Sequence, residues 1–170
     1  MSQRRIEHVY ECSPSVYWDK IFMDSEYNRQ LFLQGLNFES WELVSSEEQG
    51  DEVRRVIDAV PRVRELPSAL QKVVKEGLGY RERGVFDRRS QRYRCDVEPR
   101  SLASKVTIKG EMFAEPLGDK RFRRVFIADV EARVFGIGGL IERHILDGLE
   151  KSYAKSAEFT NRWIAERGLA

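Results

Sequence analysis

Cysteine and histidine are nearly missing from this chain of 170 residues, which carries two of each: Cys12, Cys95, His8 and His144. Two cysteines cannot build a disulfide framework or a thiolate zinc site. Two histidines far apart in sequence, with no third ligand at suitable spacing, make no metal case either. Neither a metal nor a cofactor is expected. No apolar run approaches the roughly 20 residues of a membrane helix. The opening MSQRRIEHVYECSP has no apolar core of a secretory signal. Free thiols without such a signal lead to the expectation of a cytoplasmic protein. An excess of one charge is missing too, with 29 Lys and Arg against 28 Asp and Glu. A nucleic-acid binder usually carries a strong basic excess, so no nucleic-acid partner is expected. The zincin motif, a Ser/His/Asp constellation and a paired-carboxylate motif are absent as well.

What is present is the composition of a globular domain, 41% hydrophobic and 34% charged. No internal repeat or low-complexity linker divides it, so residues 1–170 read as one domain. A first strand is predicted over Arg4 to Cys12, with Ile6, His8, Tyr10 and Cys12 on one face. Ser13-Pro14 reads as the cap and first residue of a helix. Two short helices follow, Ser15 to Met23 and Ser25 to Gln34, stopping at Gly35. Phe38 to Glu47 and Glu52 to Arg64 flank Gln49-Gly50-Asp51, a hairpin turn signal. Inner and outer faces in this pair stay open, and Arg55 fits neither register. Ser68 to Glu76 reads as a short helix.

The next stretch is the most regular. Leu78, Tyr80, Glu82, Gly84 and Phe86 share one face of a strand. So do Tyr93, Cys95 and Val97, then Val106, Ile108, Gly110, Met112 and Ala114. Phe122, Arg124, Phe126, Ala128 and Val130 complete the set. Successive hairpins of this kind make an antiparallel sheet with one apolar and one wet face. Finally, Ile141, Ile145, Leu149, Ser152, Ser156, Phe159 and Trp163 recur at helical spacing between Leu140 and Arg167. That is one long amphipathic helix ending at Gly168. It is the only element long enough to cover the sheet, and a curved sheet closing on one helix leaves an apolar cavity between them.

Two segments carry a family resemblance. Cys12-Ser13-Pro14-Ser15-Val16-Tyr17-Trp18 is similar to the point where the first strand of the START-like (SRPBCC) superfamily meets its short helix. Arg133-Val134-Phe135-Gly136-Ile137-Gly138-Gly139-Leu140-Ile141-Glu142 resembles the entry to that superfamily's C-terminal helix in a bacterial branch. With the order of elements along nearly the whole chain, the resemblance implies the α+β helix-grip fold. In that fold a curved antiparallel sheet wraps around a long C-terminal helix, with two short helices after the first strand. Lipid-transfer domains, birch-pollen-allergen relatives and polyketide cyclases share it. It implies a hydrophobic-ligand cavity, not a reaction.

Candidate ligand-binding residues follow from the inward faces. Arg124 is a charge on an apolar face, and such a charge needs a partner. Either it anchors a ligand carboxylate, phosphate or hydroxyl, or it forms a structural ion pair with Glu82 on another strand's apolar face, or it stands near a strand end where its side chain reaches water. His144 in the first turns of the long helix and His8 on the first strand could each orient a ligand or act as a base. Each could equally be a satisfied structural histidine. Tyr10, Tyr80 and Tyr93 could line a pocket or fill the core, as could Phe86, Met112, Phe126 and Val130. Gly148, Ser152 and Ser156 make a small-residue stripe on the helix, read as room for a ligand or as close packing. Gly136, Gly138 and Gly139 lack the third glycine of a dinucleotide loop, where Ile141 stands, and are read as a tight strand-to-helix turn. The arginines at 81, 83, 92, 94, 121 and 123 share an outer face with Asp96, Glu111, Asp129 and Glu131, which should neutralise it. The expected partner is a small hydrophobic ligand (lipid, sterol-like or polyketide-like), with no catalytic residue singled out. The short helices could gate its entry, and transient membrane contact stays open. A cyclase or hydratase-type enzyme, or a filled-core protein-interaction domain, are the alternatives.

Overall fold

The computed structural model describes residues 1–63 and 65–170. Seven strands form one antiparallel sheet in the order β1-β7-β6-β5-β4-β3-β2. They are β1 (Ser2–Tyr10), β2 (Ser40–Gln49), β3 (Glu52–Val60), β4 (Tyr80–Asp87), β5 (Arg92–Pro99), β6 (Val106–Pro116) and β7 (Phe122–Ala132). Helix α1 (Pro14–Val16) continues as a π-helical turn (Tyr17–Phe22). Likewise α2 (Ser25–Gln30) continues as a second one (Leu31–Gly35). A short α3 (Ser68–Gln71) follows β3, and α4 (Gly138–Arg167) closes the chain. This is the α+β helix-grip architecture, a curved sheet wrapped around one long helix.

Local chemistry sets the boundaries. The Ser13 hydroxyl accepts from the Val16 amide at 3.2 Å, and the Asp24 carboxylate accepts from the Tyr27 amide at 2.8 Å. Each satisfies a donor that a helix start leaves orphaned. The two π-helical turns have no sequence signal, because their i→i+5 bonding depends on tertiary contacts. The side chain of Asn28 donates to the Phe22 and Asp24 carbonyls, both at 2.8 Å, and ties the first of these turns to α2. The first strand starts two residues before its predicted position and releases Cys12 into the buried turn. β3 ends at Val60; its predicted end at Arg64 lies outside the described residues.

α4 is fixed at both ends, to the sheet near its start and to α2 towards its far end. Near its start, the Glu142 carboxylate accepts from the Ala132 amide at 3.0 Å and from the Ser2 hydroxyl at 2.5 Å. These bonds, the Ser2 one first, hold its pKa below the usual carboxylate range. A Cβ on Gly138 would stand 2.4 Å from the Ala132 carbonyl oxygen, so the strand-to-helix turn is tight enough to require glycine. Towards the far end, Tyr27 and Thr160 hydroxyls meet at 2.6 Å, and Thr160 donates to the Ser156 carbonyl. Trp163 packs edge-on against Tyr27 at 5.5 Å.

The outer face is a lattice of ion pairs. All six arginines predicted there find carboxylates. Among them, Arg81 is bound two-fold to Asp58 at 2.7 Å and Arg92 to Glu111 at 2.7 Å. The open question of β2 and β3 has a structural answer. A bulge between Leu43 and Ser45 shifts the pairing register, so that β2's face changes parity midway. β3 itself alternates cleanly, with Val53, Arg55, Ile57 and Ala59 all buried.

Candidate functional site

The inward residues form rows across the sheet. One row runs Phe126, Met112, Tyr93, Phe86 and Val53; the next runs Ala128, Gly110, Cys95, Gly84 and Arg55. The second row has little side-chain bulk over four adjacent strands, so large neighbours lean into it. A Cβ on Gly84 would stand 1.8 Å from the Tyr93 hydroxyl, and one on Gly110 2.5 Å from the Phe126 ring. Both glycines make room for those rings. Phe126 then stacks at 4.4 Å on Tyr153 of α4.

Between this floor and α4 lies a cavity of about 660 Å³. Its walls are largely apolar and include Ile57, Val97, Ile108, Met112, Ile145 and Leu149. Its exposed lining residues mark the mouth, which runs between Arg62, Val63 and Glu65 on one side and Asp147, Lys151 and Lys155 of α4 on the other. From the short helices, Phe32 and Leu36 also line the cavity, half-buried. Tyr17 and Phe22 are buried and reach its wall, and Trp18 is buried behind them, stacked on Phe86 at 4.7 Å.

Two polar centres interrupt the apolar wall. In the first, Arg55 Nε donates to the Tyr93 hydroxyl at 3.0 Å, and that hydroxyl donates to Glu82. Arg55 also reaches Glu82 at 3.9 Å and lies over the Phe22 ring at 4.4 Å. Burial first, then the Glu82 charge, pushes the Tyr93 pKa well up, so the phenol stays protonated. The second centre is Arg124, 3% exposed, set over the rings of Tyr10 at 4.6 Å and Tyr153 at 4.8 Å. Its buried Nη2 has no hydrogen-bond partner among the described residues.

Nine of the twelve candidate residues line the cavity: Tyr80, Glu82, Tyr93, Met112, Arg124, Phe126, His144, Gly148 and Ser152. Tyr10, Phe86 and Val130 do not. Tyr10 is enclosed by Tyr17 and Phe122 at 5.3 and 5.4 Å, Phe86 lies under Trp18, and Val130 is wholly buried. The pairing of Arg124 with Glu82 is corrected. β7 and β4 are separated by two strands, or about 14 Å at the usual strand spacing, and Glu82 is taken by Arg55 and Tyr93. All three residues of the small-residue stripe line the cavity, and nothing stands within 4 Å of a Cβ on Gly148, while Ser156 is buried. Sequence reasoning missed Arg55, whose place between Val53 and Ile57 was the available signal, and Tyr153. It also missed the stretch from Pro61 to Leu78, where Leu66, Leu70 and Val73 complete the wall. No group of three metal-ligating side chains occurs among the described residues. No helix there is long and apolar enough to cross a membrane.

A curved sheet gripping one helix around an apolar cavity is the helix-grip fold that START-like (SRPBCC) proteins share. Residues 5–164 match the family described as Protein of unknown function (DUF2505), and the chain belongs to that family. No curated protein matches. Among solved structures, the Zhui aromatase/cyclase from Streptomyces sp. R1128 is 16% identical with a TM-score of 0.66, covering 98% of this chain and 96% of its own. Norcoclaurine synthase from Thalictrum flavum is 13% identical with a TM-score of 0.66, covering 97% and 87%. TTHA0849 from Thermus thermophilus is 16% identical with a TM-score of 0.62, covering 98% and 99%. At these identities the likeness is one of fold.

Proposed function

We propose that this protein binds one small apolar molecule, of lipid, sterol-like or polyketide-like character, between the sheet and α4. The cavity of about 660 Å³ carries this reading; it falls in the roughly 300–1,000 Å³ range of small-molecule sites. Burial of ligand surface supplies most of the affinity, at about 25 cal/mol per Å² before ordering costs. Arg124, Tyr80 and His144 are the polar groups placed to orient a head group. The fold neighbours support the reading, since one norcoclaurine synthase structure holds dopamine and hydroxybenzaldehyde. A cavity of this size argues against a filled-core interaction domain. The buried free thiols Cys12 and Cys95 fit a reducing, cytoplasmic setting.

Native mass spectrometry of freshly purified protein, followed by solvent extraction, tests the proposal. A stoichiometric adduct is expected, and Ser152→Trp should remove it by filling the cavity while leaving the circular dichroism spectrum unchanged. A bare protein that also ignores fatty acids, sterols and phospholipids would overturn it.

One observation supports a second reading, a cyclase or hydratase-type enzyme in the same cavity. Glu82 lines the cavity and is held in place by the Tyr93 hydroxyl, so it can exchange a proton with a reactive chain shaped by the walls. Under this reading, Tyr93→Phe keeps ligand retention but loses cyclised product from a poly-β-keto thioester. Equal product from both proteins would remove it.

A further inference from the structure

A buried guanidinium is costly unless it is paired, and the two in this cavity wall differ. Arg55 has Glu82 and Tyr93. Arg124 has aromatic faces on two sides, the Tyr17 hydroxyl in hydrogen-bond contact, His8 and Ala114 beside it in the strand register, no carboxylate, and a buried Nη2 without a partner among the described residues. Stacking on Tyr10 and Tyr153 fixes the guanidinium plane and leaves its N–H edge to be satisfied. A planar carboxylate matches that edge, accepting two parallel hydrogen bonds. One unmatched positive charge also suits a monoanion. The mouth adds to this, since Arg62, Lys151 and Lys155 outnumber Glu65 and Asp147, and Asp147 is already held by Arg4 at 2.7 Å.

Resting on the cavity reading above, we infer that the ligand is an apolar carboxylic acid and that Arg124 reads its carboxylate. The apolar body lies between the sheet and α4, against Ile57, Val97, Ile108, Ile145 and Leu149. The head group supplies the counter-charge that the fold withholds from Arg124.

Calorimetric titration at pH 7.5 with two matched pairs of probes tests this. The pairs are dodecanoate against methyl dodecanoate, and naphthalene-2-carboxylate against naphthalene-2-carboxamide; dodecyl phosphate is added as a dianion. At least one acid should bind about tenfold or more tightly than its neutral partner, as a charge-assisted hydrogen bond predicts. Arg124→Met should erase that preference and still bind the neutral probe. Arg124→Gln serves the same purpose if the methionine variant does not fold, and the wild-type preference needs no variant at all. Equal binding of acid and neutral probe by the wild type would overturn the inference and leave the cavity reading intact. So would a preference that survives loss of Arg124, or tighter binding of the phosphate than of dodecanoate. If none of the probes binds, this inference falls, and the cavity reading is decided by the mass spectrometry above.

Discussion

Arg55 and Arg124 sit on inward faces four strands apart in the same sheet, and both are buried. Around Arg55 the fold builds a closed arrangement of carboxylate, phenol and aromatic ring. Around Arg124 it builds tyrosine rings and the Tyr17 hydroxyl, with no carboxylate. The same residue type on the same kind of face therefore does two jobs. One guanidinium is a structural tie across β3, β4 and β5; the other is held ready and left without a counter-charge. Charge within an apolar strand pattern thus marks a place to look, and the carboxylates beside it decide what it does.

The largest effect should come from making Arg55 resemble Arg124. Glu82→Leu removes the carboxylate but leaves the guanidinium buried, and should cost about 3 kcal/mol. The shift of the urea midpoint at constant m-value measures it. A loss under about 1 kcal/mol, the scale of an exposed pair, would show that the tie is not structural. Next in size is Gly84→Ala. Its methyl would displace the Tyr93 hydroxyl that links Arg55 to Glu82, at about 2 kcal/mol. Unchanged thermal unfolding in that variant would mean that Tyr93 does not need the space over β4. Smaller and opposite in sign is Arg124→Met without ligand. It removes an unpaired buried charge, costs two ring contacts, and should leave the protein about 1 kcal/mol more stable. A clear loss of stability would place Arg124 beside Arg55 as a structural residue.

Much of this was legible in the residues. The alternation from Tyr80 to Val130 reads directly as four strands, because each side chain faces either the cavity or the ion pairs of the outer face. The grip of α4 follows from its length and apolar stripe. The faces of β2 were not legible, since the bulge after Leu43 changes parity at a point with no turn residue. Nor were the partners of Arg124 and Glu82. Strand order decides those, and alternation carries no information about which strands are neighbours. The wall from Pro61 to Leu78 escaped notice because it is irregular and follows no period.

The smallest effect distinguishes the two arginines most directly. His8 lies opposite Arg124 across the β1–β7 register, half-buried. Burial, and then the charge of Arg124, hold its pKa below the ordinary histidine value of about 6.5. The unfolded chain therefore takes up this proton at higher pH than the fold does. His8 contributes stability above about pH 6.5, and that contribution is lost as pH falls through its lower folded value. Arg124→Met removes the second cause and keeps the first, so His8 should titrate part of the way back towards 6.5. Dodecanoate should act in the same direction on the wild type and have no such effect on the variant. With two histidines in the chain, the imidazole C2–H resonances report this in a simple NMR titration. A His8 signal indifferent to both changes would mean that Arg124 exerts no field at that point of the wall, and its lack of a counter-charge would no longer point to an anionic ligand.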